Sequence, residues 1–367
     1  MSGIAARIGR TRLKTWSSFG KLGRKPNEYE IVTHNMNHTF KQNGTEPLEM
    51  GANVQGNLWL RTHRDEHIFG VTNWDDFRDP DELTYRKYCQ LQDEQETYVD
   101  GLLKDFTQVK KADTGLGDVA LQFLYLAMTP CRYLGHGEQM LSAYIQQLAP
   151  SSYVGNCATF QTADTLRRVQ RVAYRTKQLH NAHPERGFGS AEREVWERDA
   201  DWQPVRKAIE TLLLCYDFDS AFVGFQLVVK PLIDNLFLNQ FAHVARSLGT
   251  DIDALIADNL YVDSLRSQSW TIAMTRFVQE QNPASRDIFR QLLAEQSGLA
   301  DTVISAGARL LARHASTATA QGFSIREDNR WFGKGFGTTS AVADVIQSRV
   351  RSDWMTLINE AGLGSDA

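Results

Sequence analysis

The stretch Asn156–Gln178, NCATFQTADTLRRVQRVAYRTKQ, decides the fold. At about 100° per residue, Ala158, Thr162, Thr165, Leu166, Val169, Val172, Ala173 and Thr176 fall on one face. Asp164, Arg167, Arg171 and Arg175 fall opposite. The pattern predicts a buried helix with a solvated, charged back.

Carboxylate-bridged di-iron bundles carry Glu-x-x-His on such helices, because positions three apart project together and hold a metal between an oxygen and an imidazole. At the centre of this stretch the two places read Thr165 and Arg168. A hydroxyl does not replace a bridging carboxylate, and a guanidinium is a permanent cation without a lone pair to offer. None of the nine histidines has an acid three places before it. The single His-x-x-His, His180 with His183, stands where a helix meets Pro184 and Gly187, and reads first as a solvated helix end.

Working outward, helical patterns cover roughly 116–148, 156–181, 190–199, 203–246, 251–281, 284–315 and 340–360. Asp79-Pro80-Asp81-Glu82 reads as a helix start, with proline just inside it and an acidic first turn, leading through Tyr85, Tyr88, Leu91 and Tyr98. Pro231 predicts a kink or break within 203–246. Long helices of this number make a bundle rather than a sheet. Between Tyr29 and Asp79 no period is sustained, and isolated aromatics (Phe40, Trp59, Phe69, Trp74, Phe77) suggest a segment laid along other surfaces. The first 25 residues are basic, with Trp16 and Phe19 as apolar anchors, and read as an arm reaching a partner, a transit peptide being the other reading. Gly333, Gly335 and Gly337 match no phosphate-loop spacing and predict a turn. The division expected is an arm and irregular segment at 1–80, a helical domain at 81–320 and an extension with a final helix at 321–367.

Composition narrows the function classes. A chain of 367 residues with 42% hydrophobic content buries a large core. Net charge −4 argues against a nucleic-acid partner. Cys89, Cys131, Cys157 and Cys215 lack zinc-ligand spacing and read as small buried residues in a reducing cytoplasm. The longest apolar runs, Ala120–Met128 and Ala221–Val229, fall short of a membrane span. Over Val119–Leu148 the apolar residues circle much of the helix, which calls for cover on more than one side and suggests an obligate partner.

A family resemblance rests on Thr15-Trp16-Ser17, Lys25-Pro26-Asn27-Glu28-Tyr29-Glu30-Ile31-Val32, Asn57-Leu58-Trp59 and Asn73-Trp74-Asp75-Asp76-Phe77. It continues through Arg132-Tyr133-Leu134, Ser142–Gln147, Gln161–Asp164, Ala173–Thr176 and Leu227–Pro231. In these residues the chain resembles the β subunit of the hydroxylase of soluble bacterial multicomponent di-iron monooxygenases, in the toluene, alkene and isoprene branch. The resemblance spans about residues 15–280.

The resemblance implies an all-α, ferritin-like (ribonucleotide-reductase-like) helical bundle with a long irregular N-terminal arm. It implies a non-catalytic cytoplasmic subunit with no cofactor of its own, paired with α and γ in an (αβγ)2 hydroxylase. The di-iron centre would sit in α, a regulatory protein and a ferredoxin or reductase would dock on the complex, and neither nucleic acid nor membrane would be involved. Laid on the α-type ligand motif, Thr165 and Arg168 take one glutamate and histidine place and Ser264 and Ser267 the second. Lys230 is a candidate for a further glutamate place. Hydroxyls and neutral glutamines are the expected interior fillers. The rival readings are a stand-alone di-iron oxidase of ribonucleotide-reductase type and a helical scaffold without an enzyme partner.

Overall fold

The structure is a computed structural model and describes residues 19, 22–34, 59, 62–63, 66–320 and 339–364. Residues 1–18 of the basic arm, Phe40, Asn57-Leu58 and the glycine-rich turn at 333–337 lie outside the described residues. Among the described residues the chain is helical, with no strand.

The helices are α1 (Glu28–Thr33), α2 (Tyr85–Leu103, continued by a π-helical segment Lys104–Val109), α3 (Asp118–Phe123, continued likewise over Leu124–Met128), α4 (Cys131–Leu148) and α5 (Ser152–Ala182). After them come α6 (Glu192–Arg198), α7 (Trp202–Leu212), α8 (Phe218–Ser247), α9 (Asp251–Gln281), α10 (Ser285–Ala320) and α11 (Thr339–Glu360). Ser151 starts α5 by accepting the amide of Val154 at 3.4 Å, satisfying one of the free donors of the first turn. Helices α4 and α5 form an antiparallel hairpin. It packs closely because Gly135 carries no side chain: a Cβ there would stand 3.0 Å from Cγ2 of Val169 on α5, and one at Gly137 would stand 2.5 Å from Cγ2 of Ile209 on α7.

Helix α8 is apolar enough over Phe218–Ser247 to cross a membrane by length and composition, which the shorter apolar runs in the sequence did not suggest. Its most apolar window is entirely buried inside the protein, so it is the core helix of the bundle. Pro231 does not break it. The proline sits in the α-helical turns Lys230–Asp234 between two π-helical segments, Phe222–Val229 and Asn235–Gln240, where wider turns absorb the missing donor. The interruption falls instead at 213–217, where Asp217 caps the new helix by accepting the amide of Ser220 at 2.7 Å.

Other expectations also change. Helix α2 starts at Tyr85, capped by Thr84, because the Asp79 carboxylate turns the preceding chain by accepting the amides of Asp81 and Leu83. Cys89 is exposed rather than buried. The apolar run from Val119 to Leu148 is covered mainly by the chain itself, α10 packing on α3, and of that run only Met140 is a large exposed hydrophobic. The case for a partner therefore does not rest on that helix.

Of the segment expected to be irregular, Glu28–Thr33 is helical, and residues 66–79 lie along the bundle with their rings in pockets. Phe69 stacks on Phe289 at 4.4 Å, Trp74 meets Phe218 edge-on at 6.1 Å, and Phe77 meets Phe277 at 5.7 Å. Asn27 and Glu30 close a reciprocal cap on α1, while Arg24 and Arg78 both grip the buried Glu30. Helix α11 packs on α10, buries Val342, Ile346 and Val350, and donates from Trp354 to the carbonyl of Leu227 at 2.7 Å. The C-terminal helix is thus part of the bundle.

Candidate functional site

Helix α5 does not have a wet back. Asp164, Arg167 and Arg175 are buried and Arg171 is nearly so, while Leu166, expected inside, is 42% exposed. The charged face is turned inward because each cation finds its carboxylates there, which repays the desolvation of an ion only when geometry and pairing are good. Arg175 is held by Asp113 from the loop before α3 and by Asp253 of α9, two oxygens from each, at 2.6–3.1 Å. Arg167 donates to Glu96 and Gln95 of α2 at 2.5 and 2.9 Å and to Asp263 of α9 at 2.8 Å. Asp164 accepts from Tyr88, Gln92 and Arg266 at 2.9, 3.0 and 2.5 Å. Burial pushes its carboxyl up to about 7, with Asp263 adding to the rise and Arg266 opposing it.

One turn along, Arg168 enters the centre of the bundle. Its Nη1 donates to Glu138 of α4 at 3.0 Å and to Asp234 of α8 at 2.8 Å. The other oxygen of Asp234 accepts from Lys230, one turn earlier on α8, at 2.6 Å and from Ser264 of α9 at 2.6 Å. All five residues are buried. Burial, opposed by Arg168 and reinforced by Asp234, raises Glu138 to about 7. Burial would raise Asp234 also, but Lys230 and Arg168 outweigh it and lower its pKa. Burial would lower Lys230, and Asp234 and Glu138 reverse the sign.

Beside this charged cluster lies a neutral one. The side-chain oxygen of Gln161 accepts from Gln226 at 3.0 Å, from Trp270 at 3.2 Å and from Ser267, and its amide donates to Ser142 at 2.9 Å. Thr165 spends its proton on its own helix, on the carbonyl of Thr162 at 2.9 Å. The expected places thus separate: Arg168, Lys230 and Ser264 join one ionic cluster, Ser267 joins a glutamine network, and Thr165 joins neither. All of them line one interior cavity.

The interior is therefore filled by ions as well as by the expected hydroxyls and glutamines. Sequence reading missed Glu138, Asp234 and Gln161. Two signals were available: a lone acid between Leu134 and Leu141 in an apolar helix, and Lys230–Asp234 at the ion-pair spacing of four.

These residues do not fit a di-iron centre. The guanidinium of Arg168 and the ammonium of Lys230 bring two positive charges into the space a metal cation would need, and both carboxylates are already engaged by them. No imidazole stands at the four expected places.

Comparison with known proteins is consistent with this scaffold. The model of the Methane/Phenol/Alkene Hydroxylase family matches residues 59–282. The hydroxylase component subunit beta of the toluene-4-monooxygenase system of Ectopseudomonas mendocina is 35% identical over 294 residues, covering 80% of this chain and 89% of that one. The hydroxylase small subunit of propane 2-monooxygenase from Gordonia sp. (strain TY-5) is 26% identical over 236 residues, 61% of this chain and 62% of that one. Among solved structures, toluene 4-monooxygenase with toluene bound in its resting active site superposes with a TM-score of 0.74 at 34% identity, covering 78% of this chain and 94% of the other. Xenon-pressurized phenol hydroxylase from Pseudomonas sp. OX1 superposes with a TM-score of 0.70 at 16% identity over 95% of both chains, a likeness of fold alone. The bundle is the ferritin-like helical fold, and the chain belongs to the methane/phenol/alkene hydroxylase family.

Proposed function

We propose that this chain is the structural, non-catalytic β subunit of the hydroxylase of a soluble hydrocarbon monooxygenase, with its oxygen and iron chemistry carried out by a partner chain. The complex is an oxidoreductase that inserts one oxygen atom of O2 into an aromatic or alkene substrate, with electrons drawn from NAD(P)H. The similarity to the toluene-4-monooxygenase β subunit supports the aromatic choice. In this reading the chain sits in the cytoplasm, assembles with α and γ as (αβγ)2, and helps shape the surface on which a regulatory protein and a ferredoxin or reductase dock.

The observation that carries the non-catalytic role is the Arg168–Glu138–Asp234–Lys230 cluster. A bundle that still converges carboxylates at its centre but neutralises them with its own side-chain cations has a folded, charge-balanced interior without metal. The outer surface supports a partner: Leu166 and Tyr174 on α5 and Val262 and Leu265 on α9 are large exposed hydrophobics.

The test is elemental analysis of the purified hydroxylase and of this chain after separation from its partners. Iron should follow the partner and leave only trace metal here. Iron in stoichiometric amount on the separated chain would overturn the reading.

A further inference from the structure

The side chains at the expected ligand places border a cavity of about 20 Å3, walled by Thr165, Arg168, Lys230, Asp234, Ser264 and Ser267 together with Leu238 and Leu260 among others. Its size matters first. A buried water needs on the order of 10–15 Å3 of this kind of space and two to four polar partners. The cavity therefore has room for a water.

Its chemistry points the same way. Nη2 of Arg168 is buried and has no hydrogen-bond partner among the described residues, although the side chain is only 5% exposed. Lys230 makes one hydrogen bond, to Asp234, and its ammonium carries three protons. Both cations border this space and keep N–H donors in reserve, although Arg168 also borders a second cavity on the side of Cys131. Thr165 and Ser264 have both committed their hydroxyl protons elsewhere, to Thr162 and to Asp234, so their oxygens face the cavity as acceptors. Unspent donors on one side and acceptors on the other match a molecule that accepts two hydrogen bonds and donates two.

An anion matches less well. The hydroxyl protons are turned away from it, and the carboxylates of Asp164, Asp234 and Asp263 line the same walls. An unsatisfied buried donor costs about 1–3 kcal/mol, more when charged, so the Arg168 nitrogen is a strong reason for the site to be filled.

We propose that this cavity is a binding site for a single ordered water, which accepts from Arg168 and Lys230 and donates to Thr165 and Ser264. It ties α5, α8 and α9 together at the point where the ligand places converge. The proposal rests on the reading that this chain holds no iron there, and the experiment separates the two.

Crystals of the assembled hydroxylase would be grown in sodium chloride and in sodium bromide, with diffraction recorded at resolution sufficient to place waters and at the iron and bromine absorption edges. The expected result is one peak of water weight within hydrogen-bonding distance of Arg168 Nη2 or Lys230 Nζ and of at least one of the two hydroxyls, without anomalous signal in either salt. An anomalous bromine peak would overturn the water assignment in favour of an anion and leave the non-catalytic reading standing. A cavity without density would overturn the water assignment alone. An anomalous iron peak at this place would overturn both.

Discussion

Replacing Arg168 by methionine tests the ionic centre most directly. In the native chain two cations, Arg168 and Lys230, face two carboxylates, Glu138 and Asp234. Arg168→Met leaves a net charge of minus one in a space where every member is buried, while keeping an apolar stem along the cavity wall. Breaking a buried pair by removing one partner costs about 3–5 kcal/mol, because the remaining charge is left uncompensated. Glu138 has a way out. Its carboxyl already titrates near 7, and without the guanidinium it rises further and takes up a proton. The cost should therefore sit toward the lower end of that range at pH 6 and grow by up to about 1.4 kcal/mol per pH unit above it. The double variant Arg168→Met with Glu138→Gln restores charge balance through Lys230 and Asp234, and should recover about 2 kcal/mol or more of the loss. The measurement is urea unfolding of the four members of the cycle, followed by tryptophan fluorescence at pH 6 and pH 8. A single variant losing less than about 1 kcal/mol, or a strictly additive double variant, would refute the account of this cluster as one coupled unit.

Glu138 and Asp164 both titrate near 7 in the folded chain, against ordinary values of 4.5 and 3.8. The native state binds the extra protons, so stability falls as pH rises from the ordinary carboxylate range through about 7, by up to about 3 kcal/mol for Glu138 alone; Glu138→Gln should flatten that slope in thermal scans from pH 5 to 8, and an unchanged slope would assign the dependence elsewhere. Gly137→Ala places a Cβ 2.5 Å from Ile209 and should destabilise by about 1–3 kcal/mol, whereas Gly101→Ala, exposed in α2 with nothing within 4 Å, should stabilise by roughly 0.5–1 kcal/mol. Equal effects of the two glycine changes would undo the packing argument for the α4–α7 contact. Deleting residues 1–18, which leaves Arg24, Asn27 and the buried Tyr29 in place, should keep the melting temperature and weaken co-purification with the α-type partner; deletion through residue 40 should lower the melting temperature as well, since Tyr29 packs 5.7 Å from the ring of Tyr153. Retained partner binding in the shorter deletion would sink the assembly-arm reading.

The all-helical bundle was legible because its helices are long and their apolar positions frequent. What the sequence concealed follows from one physical fact. Periodicity arguments assign charge to solvent, and in α5 the charges at Asp164, Arg167, Arg168 and Arg175 are turned toward partners tens to a hundred residues away. The face assignment therefore came out rotated, with Leu166 placed inside and Asp164, Arg167, Arg171 and Arg175 outside. The helix start at Asp79 was misplaced for a related reason: an aspartate can satisfy a turn's amides as readily as a helix's first turn, and the difference lies in the backbone. Of the candidate residues, Arg168, Thr165, Ser264, Ser267 and Lys230 are gathered around one cavity, while Glu138 and Asp234, signalled only by a lone acid in an apolar helix and by a spacing of four from Lys230, went unread.

The four arginines of α5 have a mechanical consequence. Arg167, Arg168, Arg171 and Arg175 follow one another along two turns, and their carboxylates come from α2, α4, α8, α9 and the loop before α3. A helix pinned this way cannot slide or roll by one residue as a whole without breaking several pairs at once. A push on its outer side chains, Leu166 or Tyr174, is therefore carried to the far side of the molecule as movement of the whole post together with the helices bolted to it. Such a subunit behaves as a rigid strut, and any shape change in an assembly built on it has to be taken up at the joints between chains.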